Sequence, residues 1–308
     1  MILVSEFMDD AAVELMRRHR DTRYEPGLAD RARELARAVA SAEALIVRNR
    51  TRVTADLLDD ASHLKCVGRL GVGLDNIDVA ACRKRGIPVF PATGANDLSV
   101  AEYVITTALM LTRKAYLSGA DMLAGNWPRQ HCAGGEISGK TIGMIGFGSI
   151  GRHVAKLARK LDMTTVAFDP FLPPDHPAWQ LAGRRDLDCL LAECDVVSMH
   201  VPLSPSTHNL VDGRRLELMK PQAVLINTSR GGIVDEDAIA AALVAGRIGG
   251  AALDVFEDEP LNRASAERFR GAPNLVLTPH IAGVTRESNS RVSMMIAEKV
   301  LAQLQDSK

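Results

Sequence analysis

Three polar side chains follow apolar, strand-like runs in the second half of the chain. Arg230 ends AVLINTSR, Glu259 ends GAALDVFEDE and His280 ends NLVLTPH. A guanidinium binds a carboxylate and a neighbouring carbonyl oxygen as a planar pair of donors. A protonated imidazole donates to an oxygen that gains negative charge, and a nearby carboxylate orients the ring and favours its charged form. These residue types predict hydride reduction of a 2-oxo acid, with His280 as general acid, or as base in the oxidative direction.

Each of these residues also has an ordinary structural explanation. Arg230 can be a surface residue where a strand emerges, Glu259 a solvated acid and His280 a turn residue after Thr-Pro. Their shared position favours the functional interpretation, because ligands of open α/β sheets bind beyond the carboxyl ends of the strands. Arg230 would follow the fourth predicted strand of the second sheet and His280 the sixth. Asp254 and Glu259 would follow the fifth, so we expect all four side chains to face one crevice.

A glycine-rich loop precedes these residues in the chain. TIGMIGFGSIG places Gly146, Gly148 and Gly151 between an apolar strand and the start of a helix. Gly146 permits a tight turn, Gly148 lets the backbone approach a pyrophosphate, and Gly151 lets helix and strand pack closely. The N–H groups and partial positive charge of the helix N-terminus would hold the phosphates. The loop therefore predicts a dinucleotide site.

The identity of the dinucleotide is indicated by Asp169, which ends the next predicted strand. A carboxylate at this position accepts hydrogen bonds from ribose hydroxyls and repels a ribose phosphate. Pro170 and Phe171 follow it, with no adjacent arginine. We therefore expect NAD rather than NADP. As an alternative, Asp169 forms a turn before proline.

Short apolar runs alternate with helical patterns along most of the chain, which is typical of an α/β protein with parallel sheets. The first hundred residues predict a small doubly wound domain with strands at 2–5, 44–47, 65–67 and 87–90. After Gly139, six strands are predicted at 141–145, 164–168, 196–199, 223–227, 251–255 and 275–278, as in a Rossmann domain. Between the two lies a predicted long helix, a bend and a second helix, suited to a connector, a dimer surface or a buried pair. A last helix, 288–304, could return to the first domain.

The composition is typical of an ordinary soluble globular protein. The 308 residues suggest two domains, and a net charge of -1 gives no support for a nucleic acid or an anionic membrane as partner. No run of about 18 apolar residues is present, and the acidic turn after MILVSEF argues against a signal peptide. Five cysteines without a CxxC pair predict reduced thiols in the cytoplasm and no metal site.

The motifs resemble those of the D-2-hydroxyacid dehydrogenase family over nearly the whole chain. The similar blocks are GRLGVGLDNID, SVAEYV, GKTIGMIGFGSIGR, MHVPLSPSTHNLV, LINTSRGGIVDE, GAALDVFEDEP and NLVLTPHIAG. The resemblance implies a flavodoxin-like substrate domain formed by residues 1–98 and 285–308, and a Rossmann NAD-binding domain, 99–284. It also implies a hinge between the two and a homodimer built largely on the NAD domain. Formate dehydrogenases of the same superfamily have a glutamine where Glu259 stands, so formate is not an expected substrate.

The resemblance further implies roles for particular residues. Arg230, Glu259 and His280 would form the catalytic set, and the backbone around Val72 and Gly73 would contact the substrate carboxylate, with Asn96 as a further substrate contact. The implied cofactor contacts, besides the three glycines, are Val72, Ser149, Ile150, Asp169, Val201, Pro202, Thr207, Thr228, Ser229, Asp254 and Gly283.

Within the family the chain is most similar to phosphoglycerate-dehydrogenase-like enzymes. Arg48 in LIVRNRT and Arg69 in VGRLGVG match positions that meet a distal phosphate in that subgroup. Two additional guanidiniums suit a second anionic group, although Arg48 and Arg50 can equally be surface charges. The chain ends at Lys308, where longer phosphoglycerate dehydrogenases continue into a regulatory domain. The expected substrate is therefore a dianionic 2-hydroxy acid, such as 3-phosphoglycerate or 3-sulfolactate.

Two other functions stay open on the sequence alone. A glyoxylate or hydroxypyruvate reductase needs only one carboxylate site, and would make little use of Arg48. An NAD(H)-sensing corepressor uses the same fold as a binding module and can keep all three catalytic residues.

Overall fold

The computed structural model describes residues 1–306, which form two compact units. The first unit comprises Met1–Asn96 together with the segment from Val284 onward, and the second comprises Asp97–Gly283. The strands are β1 (Ile2–Val4), β2 (Thr22–Tyr24), β3 (Ala44–Val47), β4 (Cys66–Arg69), β5 (Val89–Pro91), β6 (Thr141–Ile145), β7 (Thr164–Phe168), β8 (Gly183–Arg184), β9 (Val196–Met199), β10 (Val224–Asn227), β11 (Gly250–Leu253) and β12 (Leu275–Leu277). The α-helices are α1 (Asp10–His19), α2 (Ala32–Val39), α3 (Ala55–Asp59), α4 (Val79–Lys84), α5 (Asp97–Arg113), α6 (Gly119–Leu123), α7 (Ser149–Arg159), α8 (Leu187–Glu193), α9 (Gly213–Leu216), α10 (Glu236–Val244), α11 (Arg263–Ala266) and α12 (Arg286–Asp306).

The first unit contains a five-stranded parallel sheet in the order β2-β1-β3-β4-β5. This is the flavodoxin-like order, so the predicted fold class of this unit is confirmed. Strand β2 was not predicted, because its sequence, TRY, has no apolar run and its side chains are only partly buried. It pairs with β1 at one edge of the sheet.

Helix α12 packs within the first unit, against α1, β4 and β5. A Cβ atom at Gly68 on β4 would lie 2.6 Å from Ile296 Cγ2, so glycine is needed where the helix crosses the strand. Ile296, Ala297 and Val300 are buried in the core cluster that also includes the β1 side chains Ile2 and Val4. The end of the chain thus completes a core begun by its first strand.

The second unit contains a seven-stranded parallel sheet in the order β12-β11-β10-β9-β6-β7-β8. The strand order reverses between β6 and β9, which is the ligand-binding switch point of a Rossmann sheet. The prediction of six strands missed the two-residue β8, which is the third strand of the first half. Arg230, Asp254 and His280 therefore follow the fifth, sixth and seventh strands of this sheet, one place later than predicted.

The interior strands of the second unit are buried on both faces, and two apolar clusters cover them. Helices α5 and α7 pack together on one face, whereas α8, α9 and α10 contribute to the other. The predicted second helix of the connector is shorter than its pattern suggested: a 3₁₀ turn (Ala115–Ser118) is followed by the five-residue α6. Among residues 1–306, no helix combines the length and apolar character needed to cross a bilayer.

Candidate active site

The glycine loop has the geometry that a dinucleotide cradle needs. Gly146 has a φ of +93°, and a Cβ atom there would lie 2.4 Å from the His200 carbonyl oxygen. Only glycine lets the end of β6 pass the end of β9 at this distance. A Cβ atom at Gly151 would lie 2.6 Å from the Gly146 carbonyl oxygen. Gly146 and Gly151 are therefore required by close backbone contacts within the second unit.

Gly148 differs from the other two because a Cβ atom there would meet nothing within 4 Å. It is the N-cap of α7, and it supplies no capping side chain. Ser149 and Ile150 form the first helical turn. The N-terminus of this eleven-residue helix thus presents its backbone donors beside open space, which fits an anionic pyrophosphate.

Asp169 ties the glycine loop to the end of β7. Its Oδ2 accepts the amide of Phe147 at 2.9 Å, and its Oδ1 accepts the amide of Phe171 at 3.0 Å. Asp169 therefore also stabilises a turn, as the alternative interpretation expected, through its bond to the Phe171 amide. A carboxylate has about four acceptor sites, so the same group can also accept ribose hydroxyls.

The remaining predicted cofactor residues of the second unit lie around the ends of β9 and β10. Val201 Cγ1 is 2.9 Å from the position of a Gly146 Cβ atom, and the Pro202 carbonyl accepts the Thr207 hydroxyl at 2.6 Å. The Ser229 hydroxyl donates to the Met199 carbonyl at 2.6 Å and so joins β10 to β9. Gly283 lies at the end of the second unit, beyond the His280 segment.

Thr228 supplies an independent indication that a polar ligand belongs in this region. Its Oγ1 is buried, and among the described residues it has no hydrogen-bond partner. Buried hydroxyls are rarely left without a partner in folded proteins. Together with the open position at Gly148, this orphaned hydroxyl fits the NAD that the sequence predicts.

Arg230 is fixed by a side chain that the sequence analysis missed. The buried Asn227, at the end of β10, donates to the Arg230 carbonyl at 2.9 Å and accepts the Ser229 amide at 3.1 Å. The guanidinium Nη1 donates to the Ser229 carbonyl at 2.5 Å. A strand-ending asparagine before a turn is a sequence signal for such bracing.

The loops after β10 and β11 touch through their backbones. A Cβ atom at Gly231 would lie 1.9 Å from the carbonyl carbon of Phe256, so no other residue fits there. The Glu257 amide donates to Glu236 Oε1 at 2.7 Å, which fixes the second loop to α10. This close approach brings Arg230 near enough to Glu259 for its charge to act on the carboxylate.

His280 and Glu259 form a hydrogen-bonded pair. The Nδ1 atom of His280 lies 2.8 Å from Glu259 Oε2, while Glu259 Oε1 accepts the Phe256 amide at 3.1 Å. Burial raises the pKa of Glu259, but the hydrogen bond and charge of His280, the Phe256 amide and the charge of Arg230 together hold that pKa below its ordinary value of 4.5. Glu259 is therefore a carboxylate at neutral pH. Within the part of the chain that the structure describes, no protein group bonds to the ring nitrogen Nε2, which leaves it for a ligand.

Asp254 has a task that the sequence analysis did not foresee. Its carboxylate is fully buried and accepts the amides of Ile281 and Ala282, each at 2.8 Å, and the hydroxyl of Thr278 at 2.5 Å. These donors flank His280. Asp254 thus anchors the segment that carries the imidazole, and its predicted contact with the cofactor stays a prediction.

In the first unit, the Arg48 side chain contacts Asn289 and Phe7. Its Nη2 donates to Asn289 Oδ1 at 3.1 Å, and its Cζ lies 5.8 Å from the centroid of the Phe7 ring. Burial lowers the pKa of Arg48, partly offset by the charge of Glu6. By contrast, Arg50 has a side chain that is 53% exposed and pairs with Asp30. The alternative of a plain surface charge thus describes Arg50 better than Arg48.

Glu6 organises the loop that carries Arg48. Its buried carboxylate accepts the backbone amides of Arg48, Asn49, Arg50 and Thr51 at 2.8–3.2 Å. Burial raises its pKa, but these amides outweigh that effect and hold the pKa below 4.5. No sequence signal connects an acid after β1 to a loop after β3.

The other predicted substrate residues of the first unit lie at the ends of β4 and β5. Arg69 ends β4 and its Nη1 donates to the Leu70 carbonyl at 3.0 Å. Val72 and Gly73 follow in the next turn, and Val72 is exposed. Asn96 Oδ1 is buried without a hydrogen-bond partner among the described residues.

In the second unit, the structure brings Arg230, Glu259 and His280 together and supports them with Asn227 and Asp254. In the first unit it places Arg48 beside Asn289 and Phe7. Within residues 1–306, no group of three or more His, Cys, Asp or Glu side chains is arranged to hold a metal ion. The five cysteines are unpaired.

Comparison with known proteins gives one family match. Residues 105–282 match the model of the D-isomer specific 2-hydroxyacid dehydrogenase, NAD binding domain. Among solved structures, D-lactate dehydrogenase from Aquifex aeolicus, complexed with NAD and lactic acid, has a TM-score of 0.85 and 27% sequence identity. That similarity covers 99% of this chain and 95% of the other.

Three curated relatives differ in their named substrates. The (S)-sulfolactate dehydrogenase of Chromohalobacter salexigens is 52% identical over 300 residues, covering 97% of this chain and 96% of the relative. The D-3-phosphoglycerate dehydrogenase of Archaeoglobus fulgidus is 39% identical, covering 97% of this chain but only 56% of the relative. This chain thus spans about half the length of that enzyme. The hydroxypyruvate reductase of Thermotoga maritima is 38% identical, covering 88% of each chain.

Proposed function

The chain belongs to the D-isomer specific 2-hydroxyacid dehydrogenase family, and we propose that its substrate carries a second anionic group, as 3-sulfolactate and 3-phosphoglycerate do. It is an NAD-dependent 2-hydroxyacid dehydrogenase. Of the two dianions, 3-sulfolactate is favoured, because the sulfolactate relative matches at 52% identity and at nearly full length.

The named configurations of the relatives are compatible with one binding mode. In lactate and 3-phosphoglycerate the carboxylate outranks the carbon at position 3, so the D-isomer is labelled R. In 3-sulfolactate the sulfur reverses that ranking. An (S)-sulfolactate therefore has the same spatial arrangement as D-lactate, and one D-specific site accepts both.

The reaction itself is supported by the His280–Glu259 pair beside Arg230. Arg230 binds the carboxylate and carbonyl oxygen of the 2-oxo acid as a planar fork. Glu259 faces Nδ1 of His280, so protonated Nε2 donates to the carbonyl oxygen as negative charge develops there. When bound, NADH would supply the hydride to the carbonyl carbon. In the oxidative direction, neutral Nε2 accepts the hydroxyl proton.

The cofactor is positioned mainly by residues of the second unit. The N-terminus of α7 and the open Gly148 position would hold the pyrophosphate, and Asp169 the ribose hydroxyls. The orphaned Thr228 hydroxyl would find its partner on the bound cofactor. We expect further contacts from Val72, Val201, Pro202, Thr207, Ser229, Asp254 and Gly283.

The substrate is bound mainly by residues of the first unit, which we propose as the substrate domain. Val72 and Gly73 contact the carboxylate through their backbone. Asn96 is a further substrate contact, and its buried Oδ1 is available to accept a hydrogen bond from a substrate hydroxyl. Arg48, braced by Asn289 and Phe7, binds the distal sulfonate or phosphate together with Arg69. An anionic ligand offsets the cost of the partial burial of the Arg48 guanidinium.

The assembly and location are part of the same proposal. The segment after α5 exposes Leu123 at 94% and Trp127 at 76% of their surface, which favours a homodimer through the second unit. Unpaired cysteines favour a reducing compartment, the cytoplasm. Light scattering should give about twice the chain mass of 33.2 kDa, and Trp127→Ser should reduce that value.

Kinetics on a panel of 2-oxo acids tests the function. NADH oxidation is followed with sulfopyruvate, phosphohydroxypyruvate, hydroxypyruvate, glyoxylate and pyruvate, and we expect the highest kcat/KM with one of the two dianions. The His280→Gln variant should lose turnover and keep NADH binding. A preference for hydroxypyruvate or glyoxylate would replace the dianion with a monoanionic substrate, as the Thermotoga maritima relative suggests. Tight NADH binding without turnover of any substrate would favour a sensor.

A further inference from the structure

A chain of hydrogen bonds leads from helix α5 to the segment that carries His280. The Tyr103 hydroxyl lies 2.5 Å from Thr278 Oγ1, and Thr278 Oγ1 lies 2.5 Å from Asp254 Oδ1. The Asp254 carboxylate is fully buried and also accepts the amides of Ile281 and Ala282. All these residues belong to the second unit.

The direction of the two hydroxyl bonds follows from the acceptor at the end. A carboxylate can only accept, so the Thr278 hydroxyl donates its single proton to Asp254. The oxygen of Thr278 then accepts from the Tyr103 hydroxyl. Burial raises the pKa of Tyr103, which keeps the phenol protonated as a donor at neutral pH. Each bond in such a chain polarises and strengthens the next.

The backbone at His280 needs external support. Its φ of +55° lies in the left-handed region, which costs energy for a residue with a side chain. The His280 amide donates to the carbonyls of Asp254 and Thr278, at 2.8 and 3.0 Å. The bonds from Thr278, Ile281 and Ala282 to one carboxylate thus hold the residues on both sides of the imidazole.

From this geometry, we propose that Tyr103 is a positioning residue for His280. This inference rests on the proposed catalytic role of His280. Its hydroxyl fixes the Thr278 hydroxyl so that the proton of Thr278 stays on the Asp254 carboxylate. The carboxylate then keeps residues 278–282 in the turn that presents the His280 ring to Glu259 and to the substrate ketone. Tyr103 itself touches neither substrate nor cofactor in this proposal.

The donors to Asp254 matter because burial disfavours its charged form. Burial raises the pKa of Asp254, and the donors Thr278, Ile281 and Ala282 and the charge of His280 oppose this rise. Losing the Thr278 donor would raise the pKa further and weaken the acceptor. Residues 278–282 would then be held less firmly in their turn, although the ring of Tyr103 would still pack as before.

Substitutions that remove single hydroxyls test the proposal. Tyr103→Phe keeps the aromatic ring, Thr278→Val keeps the branched shape, and Thr278→Ser restores a hydroxyl. Tyr116→Phe is the matched control, because the Tyr116 hydroxyl donates to Asn274 Oδ1 at 3.1 Å and has no bond to the His280 segment. Each full-length variant is assayed with NADH and the best 2-oxo acid, and its Tm is recorded.

We expect Tyr103→Phe to lower kcat about threefold to tenfold, the range that one net hydrogen bond supports, with KM for NADH and the 2-oxo acid within about twofold. Thr278→Val should lower kcat more, and Thr278→Ser should recover most of that loss. In the Thr278→Val background, Tyr103→Phe should have almost no further effect, because the two act through one path. Tyr116→Phe should keep kcat.

Three results would overturn the proposal. These are an unchanged kcat in Tyr103→Phe, a loss that persists in full in the Thr278→Val background, and an equal loss in Tyr116→Phe at equal Tm. The His280→Gln variant distinguishes failure of the Tyr103 proposal from failure of the proposed catalytic role of His280. If His280→Gln turns over normally, the catalytic assignment is wrong, whatever the result for Tyr103→Phe.

Discussion

The imidazole of His280 is braced by Glu259, whose two oxygens have separate partners. Oε2 lies 2.8 Å from His280 Nδ1, and Oε1 accepts the Phe256 amide at 3.1 Å. The carboxylate cannot rotate without losing one of them. It therefore fixes the orientation of the ring as well as supplying a negative charge.

The first prediction concerns the pH dependence of that pair. The pKa of Glu259 in the folded protein is held below 4.5, so its carboxylate is still charged when the pH reaches 4.5. The negative charge is lost only when the pH falls through that lower pKa. The acid limb of kcat/KM that Glu259 causes should thus lie below pH 4.5. Glu259→Gln should lack this limb and lose about tenfold to a hundredfold in kcat. A wild-type acid limb well above pH 4.5 that disappears in Glu259→Gln would contradict this prediction.

A second prediction separates two glycines of the cofactor loop. Gly146→Ala should lower the free energy of unfolding by about 2 kcal/mol or more, because the φ of +93° and the His200 carbonyl leave no room for a methyl group. Gly148→Ala should keep the wild-type Tm, since its Cβ meets no atom within 4 Å, yet weaken NADH binding about tenfold or more. Thermal unfolding and NADH fluorescence titration measure both. Unchanged NADH affinity in Gly148→Ala would place the pyrophosphate elsewhere.

The third prediction compares two neighbouring arginines. Arg48→Ala should lower kcat/KM about tenfold or more for sulfopyruvate or phosphohydroxypyruvate, and barely change it for glyoxylate, because only the dianions have a second charge to bind. Arg50→Ala is the control, since its exposed side chain pairs with Asp30. An equal loss with glyoxylate in Arg48→Ala would indicate a general structural effect instead.

The fourth prediction concerns the loop that carries Arg48. Glu6→Gln replaces an acceptor of four amides with a group that has one acceptor oxygen, so we expect a loss of about 2 kcal/mol in unfolding free energy. In the wild type, the depressed pKa of Glu6 means that this stabilisation is present at neutral pH and declines as the pH falls below 4.5. Glu6→Gln should show less of that decline.

The matched control for this comparison is Glu14→Gln, because Glu14 is an exposed acid of the same unit that pairs with Arg17. Surface pairs of this kind contribute little to stability. Tm values measured from neutral pH to about pH 4 should therefore be the same in Glu14→Gln and wild type. A Glu6→Gln Tm equal to that of the control would show that the four amides find other acceptors.

The fold was predictable where strands are apolar and buried. The runs ILV, ALIV and IGMI are apolar throughout, as expected of strands covered on both faces. Strands β2 and β8 escaped prediction because they lie at sheet edges and their sequences, TRY and GR, contain no apolar run. Edge strands need little apolar surface, so the pattern that marks a buried strand is absent.

Part of the candidate site was also predictable from the sequence, and part was not. Residues that follow buried strands, such as Arg230 and His280, were identifiable because parallel strands deliver their ends to one edge. The residues that support His280 and Arg48 were not identifiable. The pairs Tyr103–Thr278 and Glu6–Arg48 are far apart in sequence, and each is joined by a single hydrogen bond. A polar residue in an apolar helix, such as Tyr103 in VAEYVITTAL, does not disclose its partner.

The two amides held by Asp169 bear on any attempt to make this enzyme use a phosphorylated dinucleotide. Replacing the aspartate by a small neutral residue removes the repulsion of a 2′-phosphate, but it also releases Phe147, inside the glycine loop, and Phe171. Such an exchange would relax the cradle that it was meant to widen. Asparagine, which is neutral and keeps one carbonyl acceptor for Phe147, is therefore the better starting point for altering the preference.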